Sequence, residues 1–173
     1  QIAAYCSLIN GGTYYEPHIV RQIKNSDGAV LEEIDGEAVR QTISADTSHY
    51  MLDAMLDVVD VHTGKNAQID GYEVWGKTGT AERQGRNKND YLLSFIGGVP
   101  ADDPELVLYV IVDAPQGVEE QARSAHASTL WREIMTDLLR GELGFNGMVV
   151  TDAEGRIRSF HEKQKRTDFV ITE

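Results

Sequence analysis

Residues 74–82 read VWGKTGTAE. Two apolar residues are followed by two glycines, a lysine and two threonines in five adjacent positions. The surroundings make this a strand. The segment Tyr72–Ala81 is predicted to be the first of three strands. Tyr91–Val99 is the second, after the polar loop ERQGRNKND, and Leu106–Asp113 is the third, after the tight turn PADDP. Connections this short join antiparallel neighbours, because a parallel crossover needs about a dozen residues or more. LVLYVIV (106–112) is apolar on both alternating sets, which predicts a strand covered on both faces.

Helical periodicity frames these strands. Ile2–Ile9 is apolar and stops at Asn10-Gly11-Gly12, a helix end with glycine available for a left-handed cap. SADTSHYMLDAMLDVVD places Met51, Leu52, Met55, Leu56 and Val59 on one helix face, with Ser44 or Asp46 as cap, and His62-Thr63-Gly64-Lys65-Asn66 ends it. A long helix is predicted over Glu119–Arg140, with Ala127, Leu130, Trp131, Ile134, Met135 and Leu138 as an apolar stripe. Between the first two helices, EPHIVRQIKNSDGAVLEEI reads as a peripheral hairpin turning at Asn25–Gly28. The fold class is therefore α+β, an antiparallel sheet flanked by helices.

Composition sets outer limits. The chain has 173 residues, enough for one domain with a sizeable core. Its net charge of −12 argues against nucleic-acid binding, which needs a basic face. The single cysteine, Cys6, reads as a small core residue. The histidines at 18, 49, 62, 126 and 161 have no metal-ligand helical spacing, so neither a metal nor another cofactor is expected. The sequence shows no membrane-span-length apolar run and no targeting signal. It opens at Gln1 inside an apolar-periodic segment, as the interior of a longer protein would.

The chemistry of residues 77–80 can be read two ways. Locally, they make a bulge, or an edge lysine that discourages strand-to-strand aggregation. Chemically, in an extended segment Lys77 and Gly79 point to one face and Thr78 and Thr80 to the other. An ammonium and two hydroxyls within four residues gather donors suited to a carboxylate. Gly79 removes a side chain, so another backbone can approach closely. A free strand edge here could pair with an extended peptide or amide.

In the order found here, GKTGTAE resembles the third motif of penicillin-binding proteins. The segment is similar to the C-terminal part of their transpeptidase domain, most like the class B enzymes of peptidoglycan synthesis. The residues that carry the likeness are QIAAYCSLINGGTYYEPHIV, HTGKNA, GKTGTAE, YLLSFIGGVPADDPELVLYVIVDAP and the helix ending LWREIMTDLL, covering about Gln1 to Leu139. The resemblance implies part of the fold shared with serine β-lactamases. It also implies acyl transfer by a serine acting on D-alanyl-D-alanine stem peptides, with β-lactams as mimics, and three motifs, S-x-x-K, S-x-N and K-T-G. By motif match, Lys77 would set a positive field and hydrogen-bond the S-x-N serine. Thr78 and Thr80 would hold the substrate or antibiotic carboxylate, Gly79 would keep the strand open, and the Thr80 N–H would be an oxyanion donor. The resemblance further implies a membrane-anchored parent protein in a cell-wall synthesis complex, at the outer face of the cytoplasmic membrane. A β-lactam sensor domain of the same fold also carries K-T-G and is the alternative.

One departure is informative. None of the eight serines (Ser7, Ser26, Ser44, Ser48, Ser94, Ser124, Ser128, Ser159) has a lysine three residues on or an asparagine two residues on. The nucleophile motif and the second motif are therefore absent from the chain, as truncation upstream of Gln1 would produce. The chain alone is expected to be inactive.

Residues 1–140 read as the C-terminal part of the transpeptidase domain and 141–173 as an atypical tail. LLRGELGFNGMVVTDA (138–153) looks like a short segment of family 3 glycoside hydrolases, in which Asp152 would match the nucleophile. That chemistry needs a second carboxylate and a barrel scaffold, and repeating strand–helix units are absent. The residues themselves read as a hairpin, GMVVT and RIRSF about the turn Asp152–Gly155, followed by a frayed terminus.

Overall fold

The computed structural model describes residues 1–83, 90–140, 148–151 and 157–161, the last two segments as backbone. Helix α1 (Ile2–Ile9) leads through two left-handed glycines, Gly11 and Gly12, into strand β1 (Thr13–Tyr15). These glycines sit where a side chain would be strained. Strands β2 (Gln22–Lys24) and β3 (Val30–Glu33) form the expected hairpin, with the Asn25 side chain accepting from the backbone of Asp27 and Ala29. β4 (Ala38–Gln41) returns to pair with β1, a pairing that no local sequence pattern announces.

Helix α2 (Ala45–Asp60) is capped by Ser44, whose hydroxyl accepts from the Thr47 N–H at 3.2 Å. Its buried Ser48 bonds the end of α1 twice, donating to the Leu8 carbonyl at 2.7 Å and accepting from the Gly11 N–H at 3.0 Å. The two helices are thereby locked together before the sheet begins. A short turn of 3-10 helix (Lys65–Ala67) follows.

The main sheet has the order β5-β6-β7-β8-β9, every neighbour antiparallel: β5 (Trp75–Glu82), β6 (Tyr91–Val99), β7 (Leu106–Asp113), β8 (Met148–Thr151) and β9 (Ile157–His161). Register pairs Trp75 with Gly98, Lys77 with Ile96, Thr78 with Phe95 and Gly79 with Ser94. One face carries Val74, Leu93, Phe95, Val99 and Val110 and packs against Ala127, Trp131 and Met135 of helix α3 (Ala125–Leu139). The opposite face carries Trp75, Ile96 and Val107 and packs against Cys6 and Ile9 of α1 and Leu52 and Met55 of α2. The α+β class expected from the sequence is the one observed.

Three expectations are corrected. The first strand starts at Trp75, not Tyr72, because Asp70 and left-handed Gly71 close a tight turn in which Ile69 bridges Tyr72. Helix α3 starts at Ala125, not Glu119, with the Arg123 carbonyl accepting from the His126 N–H and the Ser124 carbonyl from those of Ala127 and Ser128. Glu119–Arg123 offer only Ala122 to a core, and helix propensity without an apolar stripe does not carry nucleation. β7 is covered on both faces only in its first half. The eight-residue α1 does not extend past Tyr109, and Ile111 is 52% exposed.

Trp131 is the centre of the α3 side. It is fully buried, meets Phe95 edge-on at 5.2 Å between centroids, and donates its Nε1–H to the Leu108 carbonyl at 3.0 Å. Trp131→Ala should lower stability by about 3–5 kcal/mol. Trp131→Phe should cost less, about 1–3 kcal/mol, chiefly from the orphaned carbonyl. Urea unfolding followed by circular dichroism checks the order, and equal midpoints for all three proteins would contradict it.

Candidate functional site

β5 is the edge strand, and among the described residues no strand pairs with its other side. Its first residue is sunk in the core, whereas Lys77 and Thr80–Glu82 are exposed and Thr78 and Gly79 half-buried. The strand thus changes from a buried anchor to an open ledge within three residues. The pleat sets the sides of that ledge. Lys77 and Gly79 lie on the face of Trp75, and Thr78 and Thr80 lie on the face of Val74.

Each of the four residues has a definable environment. The Lys77 ammonium donates to the Thr78 carbonyl at 2.7 Å. The ion pair seen among the described residues is Arg83–Asp113 at 3.2 Å, so Lys77 has no carboxylate partner there. Gly79 faces Ser94 directly, and a Cβ placed on Gly79 would come within 2.5 Å of the Ser94 hydroxyl oxygen. Thr80 is exposed and pairs with fully buried Leu93, which fixes its backbone while leaving its side chain in solvent.

The segment after α2 comes alongside. Gly64 is buried, its N–H donates to the Val58 carbonyl at 2.8 Å, and its carbonyl accepts from the Ala67 N–H at 2.8 Å. A Cβ on Gly64 would lie 2.9 Å from the Val58 carbonyl oxygen and 3.3 Å from the Phe95 ring, so only glycine lets this turn sit so low. The turn presents Thr63, whose hydroxyl oxygen is 3.1 Å from that of Thr78. His62 and Lys65 of the same turn are exposed. In the sequence the turn reads as the end of α2, as one of the segments that carry the family likeness (HTGKNA), and as a structural loop near the cleft for His62 and Lys65. Neither Thr63 nor Ser94 was singled out, because each acquires its meaning from a partner 15 residues away in sequence.

The ledge is open, not a closed cavity. A cavity of about 350 Å³ lies between the 68–72 segment and the end of α3, lined in part by Gln68, Tyr72, Arg132 and Arg140, and none of residues 77–80 contributes to it. Among the described residues no group of three histidine, cysteine or acidic side chains could hold a metal ion. No helix there is long and apolar enough to cross a membrane. Asp152 and most of the loop 82–90 lie outside the described residues.

Comparison with known proteins gives the family and the fold. The family model for the penicillin-binding protein transpeptidase domain matches residues 1–136. Stage V sporulation protein D of Bacillus subtilis is 40% identical over 83% of this chain, which spans 23% of that protein. Penicillin-binding protein PbpB of Mycolicibacterium smegmatis is 33% identical over 80% of the chain, again 23% of the relative. The crystal structure of penicillin-binding protein 3 from Mycobacterium tuberculosis superposes with a TM-score of 0.69 at 27% identity, covering 82% of this chain and 34% of that one. The same protein has been solved complexed with ampicillin. The chain thus spans about a quarter of the length of the curated relatives it matches.

The Gly79–Ser94 approach can be tested by itself. Gly79→Ala should destabilise the chain by about 1–3 kcal/mol through overpacking. Adding Ser94→Ala should recover most of that loss, because the colliding hydroxyl is gone and the Ser94 Cβ lies at an ordinary 3.8 Å. Thermal denaturation of the two single variants and the double variant measures the coupling, and strict additivity would contradict the contact.

Proposed function

This chain belongs to the penicillin-binding protein transpeptidase family, and from that premise we propose that residues 1–140 are the strand-bearing half of a peptidoglycan D,D-transpeptidase domain. The observation that carries the reading is the ledge itself. An unpaired strand edge exposes a cation without a carboxylate partner among the described residues, two hydroxyls and a glycine in consecutive positions. An extended stem peptide ending in a carboxylate is complementary to it in backbone, charge and donors.

In this reading Thr78 and Thr80 hold the terminal carboxylate of D-alanyl-D-alanine, and Lys77 supplies the field that draws it in. A serine from outside these residues attacks the penultimate carbonyl. The Thr80 N–H faces the oxygen on which negative charge develops, a kind of contact whose removal typically costs about 100- to 1000-fold in rate. The terminal D-alanine leaves with a proton, and the amine of a neighbouring stem takes the acyl group. A β-lactam occupies the same ledge, and its acyl group stays on the serine. The whole protein would be anchored at the outer face of the cytoplasmic membrane, within a cell-wall synthesis complex.

Two proteins test the proposal. The 173-residue chain alone should not be labelled by a fluorescent penicillin, since it lacks a serine in the S-x-x-K context and loss of such a nucleophile typically costs about 10⁶-fold. A chimera in which residues 1–136 replace the matching segment of the Bacillus subtilis relative should be labelled. Lys77→Ala in that chimera should slow acylation by about 100-fold or more. Stoichiometric labelling of the chain alone would refute the missing nucleophile. A folded chimera that takes no label would refute the transpeptidase reading.

A further inference from the structure

We propose that Thr63, in the turn after α2, is a positioning residue that sets the direction in which the Thr78 hydroxyl donates. The inference rests on the reading of Thr78 as a carboxylate donor and adds a residue from a separate element to that site.

The argument starts from the 3.1 Å contact between the two hydroxyl oxygens. Either oxygen can donate in the free protein, since a hydroxyl carries one donor and two acceptor positions. A bound carboxylate removes that freedom. It accepts only, so the Thr78 proton must point to the carboxylate, and the Thr78 oxygen then accepts from Thr63. The Thr63 hydroxyl becomes the first donor of a two-step chain ending on the anion. Chains of this kind polarise in one direction, which strengthens the terminal bond.

The contact is built to hold. The turn that carries Thr63 is pinned by the Gly64–Val58 and Ala67–Gly64 backbone bonds, and Ala67 is fully buried. The Gln68 side-chain amide donates to the Asp60 carbonyl at 3.3 Å, closing the segment onto the end of α2. Beneath it, Gly64 rests against the Phe95 ring, and Phe95 is the cross-strand partner of Thr78. Thr63 and Thr78 therefore stand on one aromatic floor. Thr63 is itself exposed, so its hydroxyl is not needed to satisfy a buried group. A threonine that only ended the helix would have no reason to meet Thr78.

Threonine NMR on the whole 173-residue chain tests this, with N-acetyl-D-alanyl-D-alanine as the carboxylate probe. In the native chain, three-bond couplings should place Thr78 in a single χ1 rotamer, and titration should shift the Thr78 and Thr80 signals. Thr63→Val keeps the shape but removes the hydroxyl. It should average the Thr78 rotamer and weaken probe binding by about 5- to 10-fold, the loss of one net hydrogen bond. Thr63→Ser should restore both. If Thr63→Val leaves the rotamer and the affinity as they were, the positioning role is refuted while the carboxylate ledge stands. If the native chain gives a fixed Thr78 rotamer but no shift at Thr78 or Thr80 at saturating probe, the carboxylate reading fails, and this role fails with it.

Discussion

Everything at the ledge follows from how β5 is gripped at its start. Val74 and Trp75 are adjacent, both buried, and belong to opposite cores. Val74 goes to the α3 side and Trp75 to the α1–α2 side. Because side chains alternate strictly along a strand, a slip of one residue would exchange the two cores and drive the Trp75 indole into a space shaped for valine. The register is thus fixed two residues before the chemistry begins, and Lys77 and Thr78 have no freedom to trade faces. The pairings with Ile96 and Phe95 continue the same division.

The grip requires room, and glycine provides it. A Cβ on Gly76 would overlap the Phe95 ring, and one on Gly98 would meet the Leu106 carbonyl and the Trp75 indole. The two rings can therefore lie against the strands from opposite faces. This explains why the stretch is so poor in ordinary strand residues. Gly76, Gly97 and Gly98 serve packing, whereas Gly79 sits beyond the buried zone, opposite the small side chain of Ser94.

Sequence reading reached the parts of this arrangement that are local. The three long strands are apolar-rich runs joined by short connections, so their antiparallel order was legible, as was the division of residues 77–80 between two faces. What depended on distant partners was not. Thr13 meets Gln41 across 28 residues, and strands of three or four residues carry too little alternation to reveal the pairing. The early end of coverage over β7 depends on the length of α1, which the strand does not encode. The start of α3 was misjudged because Glu and Gln favour helix in isolation, whereas the protein begins the helix near the first residue with a core to fill, Ala127. The roles proposed for Lys77, Thr78, Gly79 and Thr80 come from the motif resemblance, and local pattern supplied only their division between two faces of the strand.

Phe95 joins the core to the ledge. Its edge meets Trp131 on the α3 side, Gly76 lies against its ring, Gly64 rests on it, and Thr78 is its cross-strand neighbour. The turn bearing Thr63 and the strand bearing Thr78 are therefore indexed to the same buried side chain, although they are separate elements. Close-packed interiors transmit displacement and do not absorb it. A change that shifts the Phe95–Trp131 pair should move both hydroxyls together and keep their separation, whereas a change in the turn alone should alter the separation. The spacing of donors on the ledge is consequently a property of the core, and the aromatic pair belongs to the description of the site as much as the exposed residues do.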